Sequence, residues 1–240
     1  MASKRIAVVT GGNKGVGIEI CRQLADHQVI VVLTARDQKR GVNAVDKLQS
    51  SGLSDIVFHQ LDVTDPASIA SLANFINDRF GKLDILVNNA GISSTIVDEE
   101  LFLSLDLSFP SENVEDESAK RILSEFDGLT EELVDEVIIE YLKDAKDEEL
   151  LKKKGWSSNL SGYIVSKAAL NAYTRLIARK YPSVCANAVT PGLVATDMTF
   201  FKGPVTAEEG AKGPVKLALI PDGGPSGQYF RMMDQLPLSF

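Results

Sequence analysis

The stretch Arg5-Ile6-Ala7-Val8-Val9-Thr10-Gly11-Gly12-Asn13-Lys14-Gly15-Val16-Gly17 decides the fold. Residues 5–10 are mostly apolar and rich in β-branched side chains, the composition of a buried strand. Four glycines within residues 11–17 then form a turn, and a helical pattern runs from residue 16 to about 27. A glycine-rich turn between a strand and a helix lets backbone N–H groups and a helix N-terminus receive a pyrophosphate. Such a turn alone is a weak signal. Here the spacing Thr-Gly-x-x-x-Gly-x-Gly from Thr10 to Gly17 is narrower than the generic pattern and belongs to one class of proteins.

Working outward, residues 29–34 are nearly all apolar, as in a strand covered on both faces. A helical pattern follows, then a strand at residues 56–61. Asp65-Pro66 opens another helix, Asp as N-cap and Pro at the first helical position; it ends near Gly81, before a strand at 84–87. Strands alternating with helices predict an α/β fold, a Rossmann-like doubly wound parallel sheet with right-handed crossovers. The alternation resumes with a helix at 163–181, a strand at 184–189, a helix at 206–219 and a short strand at 228–231. Between the halves, residues 111–150 are dense in Asp and Glu, yet residues 133–142 keep helical spacing of apolar side chains. This predicts an acidic helical insert on the surface at about 111–154; the alternative is a solvated charge run with no role. Residues 1–240 as a whole are expected to form one nucleotide-binding domain.

A net charge of −8 argues against nucleic acid or an anionic membrane as the main partner, so a phosphate-bearing ligand needs local positive groups. Met1 to Arg5 run straight into an apolar strand with no secretory signal, and no apolar run approaches the length of a bilayer span. A cytoplasmic protein is expected. Cys21 falls in a helix pattern and Cys185 in a strand pattern, both expected as buried free thiols. No metal site is expected.

The second strand ends in Thr34-Ala35-Arg36-Asp37. An acid at this point would hold the ribose 2′-hydroxyl of NAD. Arg36 stands there instead, and Lys14 lies in the glycine turn; both suit a 2′-phosphate, which points to NADP(H). The alternatives are that both are ordinary surface cations, or that Asp37 plays the NAD role in a shifted register. Asp62, after Leu61, is either an acceptor for the adenine amino group or a turn residue. Asn88-Asn89-Ala90-Gly91 ends the fourth strand beside the switch point and suits a cofactor wall. Tyr163 and Lys167 stand four residues apart at the start of a helix, on one face. A tyrosine of pKa about 10 is a poor acid–base at neutral pH, and a nearby ammonium favours the phenolate. Pro191-Gly192, with Thr196 just beyond, follows a strand where a nicotinamide would be covered.

In their order along the chain, residues 10–17, 88–91, 163–167 and 191–192 resemble the short-chain dehydrogenase/reductase family, over nearly the whole length. The acidic insert followed by Gly155-Trp156 is similar to the monomeric carbonyl-reductase branch. Residues 165–173 and 221–227 resemble the plant neomenthol dehydrogenases and salutaridine reductases. The resemblance implies a monomer that reduces a ketone or aldehyde, terpenoid- or alkaloid-like, to the alcohol by hydride transfer from NADPH. It implies Tyr163 as proton donor to the carbonyl oxygen and Lys167 as the group that tunes it and binds ribose. Gly11, Asn13, Lys14, Gly15, Val16, Gly17, Arg36, Asp62, Val63, Asn89 and Thr196 would line the cofactor with them.

The sequence departs from that family in one place. After the segment corresponding to 88–91 the family has a long helix with a catalytic asparagine, then a strand ending in a serine that polarises the carbonyl. Neither is found. The nearest strand candidate, residues 101–108, begins about ten residues after Gly91, whereas a parallel crossover needs a dozen or more. Ser108 stands where it could imitate the serine, but Asp106 interrupts the apolar run, and Asn113 does not match the asparagine. Either a block of roughly forty residues, one crossover helix with a strand and loops, was lost by splicing or gene modelling, or the chain is a divergent member. The alternative function is a catalytically impaired isoform that only binds NADP(H).

Overall fold

The computed structural model describes residues 4–92, 114–125, 127–156 and 161–236. Residues 101–108, with Ser108, and Asn113 lie outside the described residues. In chain order the elements are Ile6–Val9 (β1), Gly15–Asp26 (α1), Ile30–Ala35 (β2), Gln38–Ser50 (α2), Ile56–Gln60 (β3), Pro66–Phe80 (α3) and Ile85–Val87 (β4). Then come Glu117–Ser124 (α4), Glu131–Asp144 (α5), Glu148–Lys153 (α6), Ser161–Lys180 (α7), Ala188–Thr190 (β5), Ala207–Ala218 (α8), Tyr229–Arg231 (β6) and Asp234–Gln235 (β7). They fall into two compact units, Met1–Ile92 with Pro191–Leu219, and Ser93–Thr190 with Ile220–Phe240.

The first unit is built on a parallel sheet of order β3-β2-β1-β4. The chain winds outward from β1 to β3 and then returns to the far side of β1, so the direction switches between β1 and β4. Side chains alternate along each strand. Ala7, Val9, Val31 and Leu33 bury against Ile20 and Leu24 of α1, Val45 and Leu48 of α2, and Ala211 and Val215 of α8. Val8 and Val32 point the other way, to Leu72 and Ile76 of α3. Local sequence sets the helix starts. Asp65 Oδ1 accepts from the Ala67 N–H at 2.9 Å, with Pro66 opening α3. Asp37 Oδ1 accepts from the Arg40 N–H at 2.8 Å, so Asp37 is the N-cap of α2.

The second unit has its own core. Val134 and Val137 of α5 and Leu123 of α4 bury with Trp156 against Ile164, Ala168 and Ala172 of α7. The acidic segment therefore carries the helices α4 to α6, with Leu123, Val134 and Val137 buried and Ile139 and Leu142 of α5 exposed. The basic end of α7 fastens it: Arg175 donates to the Leu123 carbonyl, Arg179 to the carbonyls of Leu129 and, at 2.9 Å, Asp127, and Lys180 pairs with Glu131 at 2.7 Å. β5 pairs parallel with β6, and β6 antiparallel with β7, in a separate three-stranded sheet.

Two expectations are corrected here. The strand expected at 184–189 is only Ala188–Thr190. The chain before it is held largely by side chains: Ser226 Oγ receives the Ala186 N–H at 3.1 Å and donates to the Val184 carbonyl at 3.0 Å, and Asn187 Oδ1 receives the Gln228 N–H at 3.1 Å. Cys185 accordingly precedes the strand and is half-buried, whereas Cys21 is fully buried, its thiol pushed up out of the usual range by desolvation.

Asp144 is a buried carboxylate that accepts from Trp156 Nε1 at 2.8 Å and pairs with Lys154 at 3.1 Å. Burial pushes its pKa up, but the indole N–H and the Lys154 ammonium outweigh it and hold the carboxyl below the usual range. A lowered carboxylate pKa stabilises the fold above the unfolded value, and that stability is lost as pH falls through the folded value. Asp144→Asn should therefore lower the Tm near neutral pH, with the difference from the parent shrinking below pH about 4. Equal melting of the two near pH 7 would contradict this.

Candidate functional site

In the first unit, the turn after β1 is bonded to the ends of its neighbouring strands. The Thr10 N–H donates to the Val87 carbonyl at 3.0 Å, and Gly12 N–H to the Thr34 carbonyl at 2.8 Å. Asn89 Nδ2 donates to the carbonyls of Thr10 at 2.9 Å and Gly11 at 3.2 Å, while the Ala90 N–H donates to Thr10 Oγ1 at 2.9 Å. Gly17 packs under this junction: a Cβ there would lie 2.4 Å from the Gly11 carbonyl oxygen and 2.5 Å from Asn89 Nδ2. Gly15 opens α1 at φ +56°, where an L side chain is strained, and a Cβ on it would meet the Thr196 methyl at 3.3 Å. Asn13 is half-buried, and Val16 packs on the core.

The start of α1 differs from the other α-helices with a described N-cap. Asp37, Asp65, Asp116, Thr130, Asp147 and Thr206 each accept a backbone N–H at their helix start. Lys14, the N-cap of α1, makes no such bond, and the first turn carries no acid. Partial positive charge there stands without an internal acceptor side chain, the arrangement that suits a phosphate.

The flanking residues are placed as follows. Arg36 is exposed immediately after β2, its carbonyl accepting from Gln60 Nε2 at 2.8 Å. Asp62 uses Oδ1 in a turn, accepting from Thr64 N at 2.9 Å and Thr64 Oγ1 at 2.7 Å; these bonds, with the Arg36 charge adding, hold its carboxyl below the usual range. Val63 is exposed. Lys14 is not an open cation: its ammonium pairs with Asp197. Asp197 begins a 3₁₀ turn, Asp197–Thr199, behind Thr196, whose N–H donates to Thr199 Oγ1 at 3.1 Å. Phe200 and Phe201 follow, both at positive φ and both exposed.

In the second unit, Tyr163 and Lys167 lie one turn apart on α7, with the Lys167 Nζ 5.5 Å from the Tyr163 ring centroid. The expectation that the ammonium lowers the phenol's pKa is corrected. Burial dominates both groups, pushing the Tyr163 phenol up and the Lys167 ammonium down. The first unit thus assembles residues 10–17 with Asn89 and Thr196, and the second places the Tyr–Lys pair. Sequence reading passed over Asp197, although it adjoins Thr196, and the Thr10 hydroxyl, although Thr10 begins the motif.

The model of the short chain dehydrogenase family matches residues 5–107. The chain is 43% identical to the (+)-neomenthol dehydrogenase of Arabidopsis thaliana over 283 aligned positions, covering 94% of this chain and 95% of that protein. It is 37% identical to carbonyl reductase (NADPH) 3 of Mus musculus over 269 positions, covering 95% and 96%. The solved structure of salutaridine reductase from Papaver somniferum superposes with a TM-score of 0.88 at 40% identity, covering 95% of this chain and 99% of that one. The chain belongs to the short-chain dehydrogenases, a family of oxidoreductases. Both alignments, of 283 and 269 positions, are longer than the 240 residues of the chain, so these relatives carry stretches with no counterpart here.

Gly17→Ala tests the junction. Its methyl group must displace the Gly11 carbonyl or the Asn89 amide, a cost of about 1–3 kcal/mol for overpacking. Thermal unfolding should show a Tm several degrees lower; an unchanged Tm would mean the turn is free to move aside.

Proposed function

We propose that the chain is an NADPH-dependent carbonyl reductase, converting a small-molecule ketone or aldehyde of terpenoid or alkaloid type to its alcohol. The observation that carries this reading is the glycine turn pinned by Asn89 at the head of an α-helix without a side-chain cap. These residues fit a dinucleotide: side chains are excluded at Gly17, backbone N–H groups stand at the start of α1, and Arg36 is exposed at the end of β2. The names of the relatives, a neomenthol dehydrogenase, a salutaridine reductase and an NADPH carbonyl reductase, support the same chemistry.

Each residue then has a task. Residues 11–17 hold the pyrophosphate, Arg36 takes the 2′-phosphate through two N–H groups, and Lys14 adds a second cation. Asn89, Asp62, Val63 and Thr196 line the cofactor. The bound nicotinamide supplies a hydride to the carbonyl carbon. Tyr163 gives the phenolic proton to the carbonyl oxygen and recovers it from solvent. A phenol whose pKa is raised by burial is held in the protonated form that this direction needs. Lys167 holds the ribose and keeps positive potential beside the phenol. The protein is proposed to act as a cytoplasmic monomer; among the described residues no helix is long and apolar enough to cross a membrane.

A second reading, NADP(H) binding without turnover, has specific support. β4 is an edge strand among the described residues, and the relatives' alignments exceed the chain in length. Three measurements test these readings, and turnover distinguishes them. The parent should bind NADPH more tightly than NADH, and Arg36→Asp should weaken NADPH about ten- to a hundredfold, the worth of one charge-assisted pair. Tyr163→Phe should abolish reduction of a menthone-like ketone while leaving NADPH binding nearly unchanged. NADPH binding by a parent with no measurable turnover would select the second reading, and equal affinity for the two cofactors would overturn both.

A further inference from the structure

Lys14 carries the opposite burden from Arg36. Arg36 is exposed and makes no ion pair among the described residues, whereas Lys14 is paired with Asp197. Both partners are held in place. Lys14 is the extended N-cap of α1, at φ −160°. Asp197 is set by Thr196 and Thr199, through the Thr196 N–H to Thr199 Oγ1 bond of 3.1 Å and the Thr199 hydroxyl bond to the Val194 carbonyl. The base of that loop is closed by the bonds from Ala195 N–H to the Val205 carbonyl at 2.8 Å and from Val205 N–H to the Leu193 carbonyl at 3.2 Å. The Thr196 methyl lies against Gly15 on the same turn. The carboxylate is thus supplied to the cofactor turn by a braced loop.

We propose that Asp197 is a built-in competitor for Lys14 that reduces the affinity for NADPH's 2′-phosphate. This rests on the cofactor reading above. An ammonium has three donors, but a phosphate and a carboxylate brought to the same ammonium repel each other. NADPH must therefore displace or share the pair, and NADH, lacking the 2′-phosphate, need not. Asp197 acts through Lys14 and is a positioning residue, setting how strongly the chain distinguishes the two cofactors.

The test is equilibrium titration of the full chain with NADPH and NADH, for the parent, Asp197→Asn, Lys14→Met and the double variant. Asp197→Ser serves as a second replacement should the amide itself pair with Lys14. Exposed ion pairs are weak, so Asp197→Asn should tighten NADPH by about two- to fivefold with little change for NADH. In the Lys14→Met background the same substitution should give no gain. A gain that persists without Lys14, or that is equal for NADH, would show a general charge effect and overturn the proposal, as would no gain in either replacement. The cofactor reading is checked separately by the parent and Lys14→Met alone. If the parent does not prefer NADPH, or Lys14→Met leaves the preference intact, the assignment of Lys14 fails and the proposal fails with it.

Discussion

The Asn89 side-chain amide, donating to the carbonyls of Thr10 and Gly11, is the interaction on which the rest depends. A turn with four glycines in seven residues is entropically costly to order and would not hold one shape unaided. Here it is fixed from three sides: by Asn89 and Ala90 at the end of β4, by the Thr34 carbonyl at the end of β2, and by the Gly17 backbone beneath. The first two restraints come from the carboxyl ends of the strands on either side of β1, and the third from the first turn of α1. The start of α1, and the direction of its N–H groups, follow from that closure.

This explains which parts were legible in the sequence. The four-stranded sheet was, because buried parallel strands read as apolar runs and because Asp65-Pro66 carries a local start signal. The glycine turn and residues 88–91 were legible as separate motifs, and the order of the strands brought them together. What escaped depends on partners distant in sequence. The Lys14–Asp197 pair joins residues 183 positions apart. The early part of the strand expected at 184–189 gave way to side-chain bonds from Ser226 and Asn187, which alternation of apolar residues does not reveal. For Tyr163 the spacing to Lys167 was right, but the sign of the pKa shift depended on burial, which spacing does not report.

The acidic segment shows the same division. Helical periodicity marked α5, yet its acidic composition gave no hint of a core. Asp144 and Trp156 form a buried hydrogen-bonded pair with the exposed Lys154 against the carboxylate, and Arg175 and Arg179 of α7 bond to main-chain carbonyls. Charge density described the outer face of these helices, while packing was set by Leu123, Val134 and Val137.

Hydrogen–deuterium exchange of the full chain, with and without saturating NADPH, tests most directly whether the Asn89-braced turn is the nucleotide cradle. Slowed exchange at the amides of residues 11–18 and at Ala90, with α5 unchanged, is the expected result. Full occupancy by NADPH with no added protection at residues 11–18 would contradict it.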